Sequence, residues 1–435
     1  MFEELEKICK VYRIESYAYD ETPKPVAPEP EEFVVVKPEN ALEVSKILKF
    51  ANERKIPVFI RGGGTGLSGG AVPTRKGIVI STEKMKGIEI DIGNKVAICE
   101  CGVTLEELSR TAERHGLSFP PRPGAENATV GGMIATNAGG VRALKFGVMR
   151  NYVLGIEAVL SDGRILNFGG KTLKNSSGYP LLHLIIGSEG TLAVITKAII
   201  RLLPPLKDMS MLAIPFKRVE DALNFGMKAS LHTTPMALEY MEKKAIEIGE
   251  KFSGKRWVSR EGEAHIMAIL ERKEEAEEIA EIALNFNPID VFILSPREQK
   301  DLLEFRGKLY VSLKDKIIEI LDVCIPPAEI ARYLQKSNEI AESYGIELIT
   351  YGHLGDGNLH QHPLIYDGWE EDYPKFRKEL LKLAVESGGV ISGEHGIGVL
   401  KREELKEFYP EQFSLMQEIK KIFDPNCILN PDRIF

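Results

Sequence analysis

Long hydrophobic runs are missing from this 435-residue chain. No apolar stretch reaches the roughly 18 to 20 residues needed to cross a bilayer, and the opening "MFEELEKICK" reads as a charged amphipathic helix, not a signal sequence. The expectation is a cytoplasmic protein that meets a membrane only peripherally, through a partner. Basic charge is also scarce: 56 Lys and Arg against 64 Asp and Glu leave a net charge of −8. The charges are spread along the whole length, so no basic stripe tracks phosphates and nucleic acid is excluded as a partner. Cysteine is sparse, odd in number and scattered, with five residues in all, which excludes a disulfide framework and a cysteine-ligated iron–sulfur cluster. Cys99 and Cys101 share one face of a strand but lack a second pair, so they read as core.

What is present is glycine in dense blocks. "RGGGTGLSGG", Arg61 to Gly70, contains the G-x-G-x-x-G of a dinucleotide fold. A nicotinamide reading needs a helix opening at those glycines, with an acidic residue such as Glu89 or Asp91 after the next strand. Instead Pro73, Gly77 and the run Ile78 to Ile80 predict a strand. Upstream, "FVVVKP", "ENALEVSKILKFANERK" and "IPVFIR" predict strand, helix and strand. Downstream come the strands "GIEIDIG" and "KVAICECG", then a helix opened by the capping box Thr104 to Glu107. A hairpin follows, with Asp162-Gly163 in a type I′ turn. After Pro204-Pro205 the helices lengthen: "EDALNFGMKAS", "PMALEYMEKKAIEIGEKF" and "RKEEAEEIAEIALNF". The strands "AHIMAILE" and "DVFILS" alternate with them, which predicts a second domain with a small antiparallel sheet backed by helices.

Histidine is concentrated. Of eight histidines, His353 and His360 flank "LGDGN", whose Asp356-Gly357 turn can bring both imidazoles to one side, a metal-site geometry. His362 lies two residues beyond as a rival ligand, and Glu394 and His395 sit in the glycine-crowded "GGVISGEHGIG". The isolated His115, His183, His232 and His265 read as surface or satisfied core.

Five motifs in order, "RGGGTGLSGG", "PRPGAENATVGGMIATNAGG", "GSEGTLAVITKA", "YGHLGDGNLH" and "GEHGIG", give a family resemblance over nearly the whole chain. It resembles the FAD-linked 2-hydroxy-acid dehydrogenases, which include D-lactate dehydrogenases, glycolate oxidase catalytic subunits and D-2-hydroxyglutarate dehydrogenases. The resemblance implies an α+β fold: a two-part FAD-binding domain of the vanillyl-alcohol-oxidase type and an α+β cap domain with an antiparallel sheet. The implied boundaries are 1–30 for an N-terminal helix and lead-in, 31–205 for the FAD domain, 206–395 for the cap, and 396–435 for a C-terminal helix and tail returning to the FAD domain.

Phosphate binding through backbone N–H groups then falls to the first loop: Gly62, Gly63, Gly64, Thr65, Gly66, Ser68 and Gly69. The resemblance places Pro121, Gly124, Thr129, Gly131, Gly132, Asn137 and Gly139 along the flavin. Glu189, Gly190 and Ile195 close around it, and Asn430 returns to its edge. Some relatives tether FAD through a histidine in the first loop; Thr65 in that part of the loop implies a non-covalent flavin.

The implied reaction oxidises a D-2-hydroxy acid to the 2-oxo acid, with hydride passing to flavin N5. A divalent metal, zinc first and iron or manganese next, would be bound by His353, His360 and Glu394. His395 is the implied base, Asn358 a hydrogen-bond donor to substrate, and Arg306 the clamp for its carboxylate. The hydroxyglutarate branch uses a lysine for a distal carboxylate where this chain has Ile320-Leu321-Asp322, which favours D-lactate or glycolate over D-2-hydroxyglutarate, with Lys308 or Lys314 as the alternative cation from another angle. Electrons then pass to an external acceptor: a quinone, cytochrome, iron–sulfur subunit or electron-transfer flavoprotein. A heteromeric complex or a homodimer is the expected assembly. A metal-dependent hydrolase built on His353, His360 and Glu394 is the alternative from another class, and a flavoprotein subunit without substrate oxidation is a third.

Overall fold

Runs of β-branched residues bounded by Pro and Gly build the first sheet. A computed structural model describes residues 2–206 and 209–435. Strand β1 (Val11–Tyr12) pairs antiparallel with β2 (Phe33–Val36), while β2 and β3 (Val58–Arg61) flank β4 (Gly77–Ser81) in parallel. The crossover between β2 and β3 is the helix Ala41–Arg54, opened by the Asn40 side chain accepting from the Glu43 amide, and its stripe of Val44, Ile47, Leu48 and Ala51 is buried. After β3 the chain runs through residues 62–70 without a helix and re-enters the sheet as β4. The glycine pattern is therefore not a Rossmann turn. The expected helix over "MFEELEKICK" is cut to Phe2–Leu5, because Val11 and Tyr12 pair with Val36 and Val35 and satisfy the backbone edge of β2.

The second sheet is antiparallel throughout. It holds β5 (Ile88–Asp91), β6 (Val96–Glu100), β7 (Val153–Val159), β8 (Ile165–Gly169) and β9 (Val194–Arg201) in the order β5-β6-β9-β7-β8. The Thr104 to Glu107 capping box opens the helix Leu105–Arg114 as expected. The β7–β8 turn differs from the type I′ expectation, since only Gly163 is left-handed, at φ +83°. The Asp162 carboxylate accepts the Arg164 amide at 3.0 Å, an Asx turn that keeps Asp162 out of the left-handed region. Cys99 and Cys101 are fully buried in this core.

The cap sheet is larger than expected. Its strands β10 (Ser210–Phe216), β11 (Ala237–Glu242), β12 (Ala264–Leu270), β13 (Phe292–Ile293), β14 (Leu321–Cys324), β15 (Leu348–His353) and β16 (Asn358–Pro363) run in the order β13-β10-β12-β11-β15-β16-β14. All pairings within it are antiparallel. The segment "PMALEYMEKKAIEIGEKF", expected as one helix, divides into β11 and the helix Lys243–Ser253. Pairing on both edges, with β12 and β15, overrides the helix-forming residues of its first half.

The C-terminal segment touches both halves. Leu405 packs in the cap core, while the Ile428 carbonyl accepts from Val58 at 2.7 Å and the Asn430 amide donates to Val58 at 2.8 Å, extending the edge of β3.

Candidate active site

Two histidines reach one place because the β15–β16 hairpin brings them there. His353 ends β15 opposite Asn358, and His360 on β16 lies opposite Tyr351. Between them, Gly357 takes φ +85° and has no room for a side chain, since a Cβ would sit 1.9 Å from the Ile325 carbonyl. The two imidazoles meet edge to face, with centroids 5.3 Å apart. Glu394 approaches from the loop after β16 and its following helix: its Oε1 lies 3.5 Å from His353 Nε2 and 3.4 Å from His360 Nε2. A tetrahedral site with bonds of about 2.0–2.1 Å has ligand–ligand edges of about 3.3 Å. The triad therefore fits a divalent ion. His395 stacks on His360 at 5.1 Å and 7°, with its Nε2 3.8 Å from Glu394 Oε1.

Two buried carboxylates hold these ligands from behind. Glu239 on β11 accepts from His353 Nδ1 at 2.5 Å and from Arg306 at 2.8 Å through Nε and 2.7 Å through Nη2. It is fully buried, and a carboxylate behind a histidine is what fixes a metal-binding imidazole. Asp322 on β14, also fully buried, lies 3.5 Å from His360 Nδ1 and 3.9 Å from His395 Nδ1. His360 Nδ1 is a buried atom with no hydrogen-bond partner among the described residues.

The electrostatics follow from burial and proximity. Burial opposes charge on His353, but Glu239 and then Glu394 overcome it and raise its pKa well above the ordinary value. Burial would raise Glu394, yet the hydrogen-bonding reach of His353 and His360 holds it well below the usual carboxylate range. His395 is pushed down by burial, with His360 and Lys401 acting in the same sense against Asp322. It is a neutral imidazole at pH 7. His362 is not grouped with the three ligand atoms: it is fully buried, stacks on Tyr351 at 4.5 Å, and is pushed down to about 3 by burial.

Arg306 and Asn358 each contact one of the two buried carboxylates. Two of the three Arg306 nitrogens face Glu239, and its guanidinium lies 4.7 Å from the Tyr351 ring centroid. The Asn358 amide nitrogen donates to Asp322 Oδ1 at 2.7 Å and to the Val323 carbonyl at 2.9 Å. Its nitrogen is thus engaged by the protein.

The FAD domain supplies the other wall. A Cβ on Gly62 would lie 2.3 Å from Thr129 Oγ1 and one on Gly63 2.4 Å from the Asn127 carbonyl, so the two glycine-rich segments meet with no space for side chains. Gly64 and Gly69 take positive φ, while Thr65 and Gly66 lie in the same half-buried loop. This backbone cradle fits FAD. Thr129 caps the helix Val130–Ala135 through the Gly132 amide, and Gly131 packs on Cys101. Asn137, at φ +49°, accepts the Arg150 amide. Pro121 is buried, and Gly124 is an exposed bend residue with open space where a side chain would stand. Ile195 lies in the core.

Several residues read as flavin contacts also tie the FAD domain to the segment after residue 390. A Cβ on Gly139 would meet Glu394 Oε2 at 2.9 Å. The Ser68 hydroxyl donates to the His395 carbonyl at 2.8 Å. Glu189 accepts the Ile397 and Gly398 amides at 2.7 and 2.8 Å. Asn430 accepts the Ile60 amide and donates to the Glu189 carbonyl beside Gly190. The flavin cradle and the histidine cluster thus share one loop, residues 392–399.

Residues 33–169 match the family described as "FAD binding domain", and residues 206–434 match "FAD linked oxidases, C-terminal domain". The chain is 64% identical to a D-lactate dehydrogenase of Archaeoglobus fulgidus, over 99% of this chain and 98% of that protein. It is 39% identical to a D-lactate dehydrogenase of Anaerostipes hadrus, over 92% and 89%. Among solved structures, p-cresol methylhydroxylase with substrate bound superimposes with a TM-score of 0.79 at 15% identity, covering 99% of this chain and 95% of that one, a likeness of fold alone. With both domains matched and a 64% identical relative aligned over nearly its whole length, the chain belongs to the FAD-linked 2-hydroxy-acid dehydrogenases and is an FAD-dependent oxidoreductase.

Proposed function

We propose that this enzyme oxidises D-lactate to its 2-oxo acid, using a divalent metal held by His353, His360 and Glu394. The observation that carries the reading is the cluster itself: two imidazole Nε2 atoms within 3.5 Å of one carboxylate oxygen, with the FAD-domain Gly139 against the same carboxylate. The relatives named D-lactate dehydrogenase supply the substrate. FAD and the metal, when bound, supply a hydride acceptor and a Lewis acid that lowers the hydroxyl pKa.

The chain's own residues do the rest. His395 takes the hydroxyl proton on its imidazole, which burial keeps neutral and ready to accept. Glu239 and Arg306 hold His353 in one tautomer, and Arg306 offers the substrate carboxylate only the Nη1 edge that Glu239 leaves free. Ile320 on the approach to β14 is apolar and buried, so that segment supplies no cation for a second carboxylate, which favours a monocarboxylate. The reduced flavin needs an outside acceptor; among the described residues, no helix is long and apolar enough to cross a membrane.

The test is anaerobic mixing with a panel of hydroxy acids. D-Lactate is expected to bleach the flavin absorbance near ~450 nm, with metal present in the same sample. His395→Ala is expected to retain FAD while flavin reduction slows by roughly 10² or more. Near-normal reduction by that variant removes His395 from the reaction, and an unbleached wild-type flavin removes D-lactate.

A further inference from the structure

The loop that carries Glu394 and His395 has little internal structure to shape it. Residues 392–399 form bends without a helix or strand. Glu189 and Ser68 tie its far end to the FAD domain, and the stretch from Ser392 to His395 turns around one side chain. Asp322 Oδ2 accepts the amides of Gly393 at 3.0 Å, Glu394 at 3.0 Å and His395 at 2.9 Å, and the Ser392 hydroxyl lies 3.1 Å away. Three consecutive N–H groups turned onto one oxygen make an anion-binding concavity, and here its anion is part of the protein. The other oxygen, Oδ1, accepts from Asn358 Nδ2 at 2.7 Å. Gly393 is required at the crossing, since a Cβ there would lie 2.1 Å from Asn358 Nδ2. The base of the loop is tied at the same residue: the buried Lys401 amine donates to the Asp322 carbonyl at 3.1 Å and the Ile391 carbonyl at 2.8 Å.

We propose that Asp322 is a positioning residue of this enzyme, whose carboxylate fixes the loop so that Glu394 reaches both histidines and His395 stacks on His360. It rests on the metal and base assignments above and adds the element that sets their geometry. Charge and shape both matter. An amide at this position must turn its NH2 either toward the three loop amides or toward the Asn358 NH2. Asn358 cannot flip in response, because its nitrogen also serves the Val323 carbonyl at 2.9 Å. Every orientation of the amide introduced by Asp322→Asn therefore sets donor against donor.

Asp322→Asn in the full-length holoenzyme is the test, read by four measurements: FAD content, thermal stability, metal affinity by titration of the stripped protein with zinc, and flavin reduction by D-lactate with metal saturating. The expected result is retained FAD, a metal affinity weaker by about 10- to 100-fold, and a kcat that falls more than KM changes. Asp322→Glu keeps the charge and is expected to fall between wild type and Asp322→Asn in both metal affinity and kcat. Wild-type metal affinity and kcat in Asp322→Asn overturn the proposal. So does parallel loss of FAD, metal and thermal stability in both variants, which would mark Asp322 as a fold residue only. Should Asp322→Asn not fold, Asp322→Glu decides alone: wild-type metal affinity and kcat overturn the proposal, and a loss of both with FAD retained supports it. Glu394→Gln, run alongside, separates the two levels: if it too binds zinc and turns over normally, the metal assignment fails and not the role of Asp322.

Discussion

The FAD domain and the cap build their halves of the site from different materials. In the FAD domain the working surface is backbone, and glycines 62–64 are there because a side chain would strike Thr129, Asn127 or Arg61. In the cap the working surface is side chains, and each imidazole is backed by a buried carboxylate: Glu239 behind His353 and Asp322 behind His360. A backbone cradle is specified by what is omitted, and a ligand cluster by partners brought from distant strands. The first tolerates polar change around it but no added volume. The second tolerates little change in charge.

Gly62→Val tests the backbone side and is expected to have the largest effect. Overpacking against Thr129 costs about 1–3 kcal/mol, roughly a 5- to 150-fold loss of FAD affinity. The variant should purify folded but pale, with FAD affinity followed by fluorescence of the released flavin, while zinc binding changes little. Equal loss of zinc would show that the two halves do not separate.

Glu239→Gln tests the side-chain side. His353 loses the carboxylate that holds its Nδ1 proton, and Arg306 loses its partner, so metal affinity is expected to fall by about 10- to 100-fold while FAD remains bound. Metal titration and the visible spectrum read the two sides independently. Unchanged metal affinity would detach Glu239 from the site.

How much of this was legible follows the same division. The glycine blocks and the "YGHLGDGNLH" and "GEHGIG" stretches name their positions directly, because the turn and the ligand type are local features. The strand after Pro73 was enough to reject a Rossmann turn. What the sequence hides is the backing. Glu239 lies in "PMALEYMEKK", whose residues favour a helix, and it becomes a site residue only when β12 and β15 draw that segment into the sheet. Asp322 stands in a short buried strand with no motif around it, and its five donors come from residues 358 and 392–395. Arg306 and Asn358 were legible as functional residue types but not as partners of those carboxylates.

Strand β11 allows a finer version of the comparison, since it carries two acids in different surroundings. Glu239 is held below its ordinary pKa, burial being outweighed by His353 and Arg306. Glu242, three residues on, has no cation to offset burial and is pushed up to about 7, although the Thr350 amide donates to it at 2.9 Å. Its folded pKa lies above its unfolded one, so its contribution to stability is complete below about pH 4.5 and is lost as pH rises through about 7. The wild type should therefore lose a few degrees of melting temperature, relative to Glu242→Gln, between pH 5 and pH 8. The glutamine still accepts the Thr350 amide and carries no charge to penalise. Melting curves of both proteins across that range read the difference directly, and parallel curves would mean that Glu242 is already solvated or paired in the folded chain.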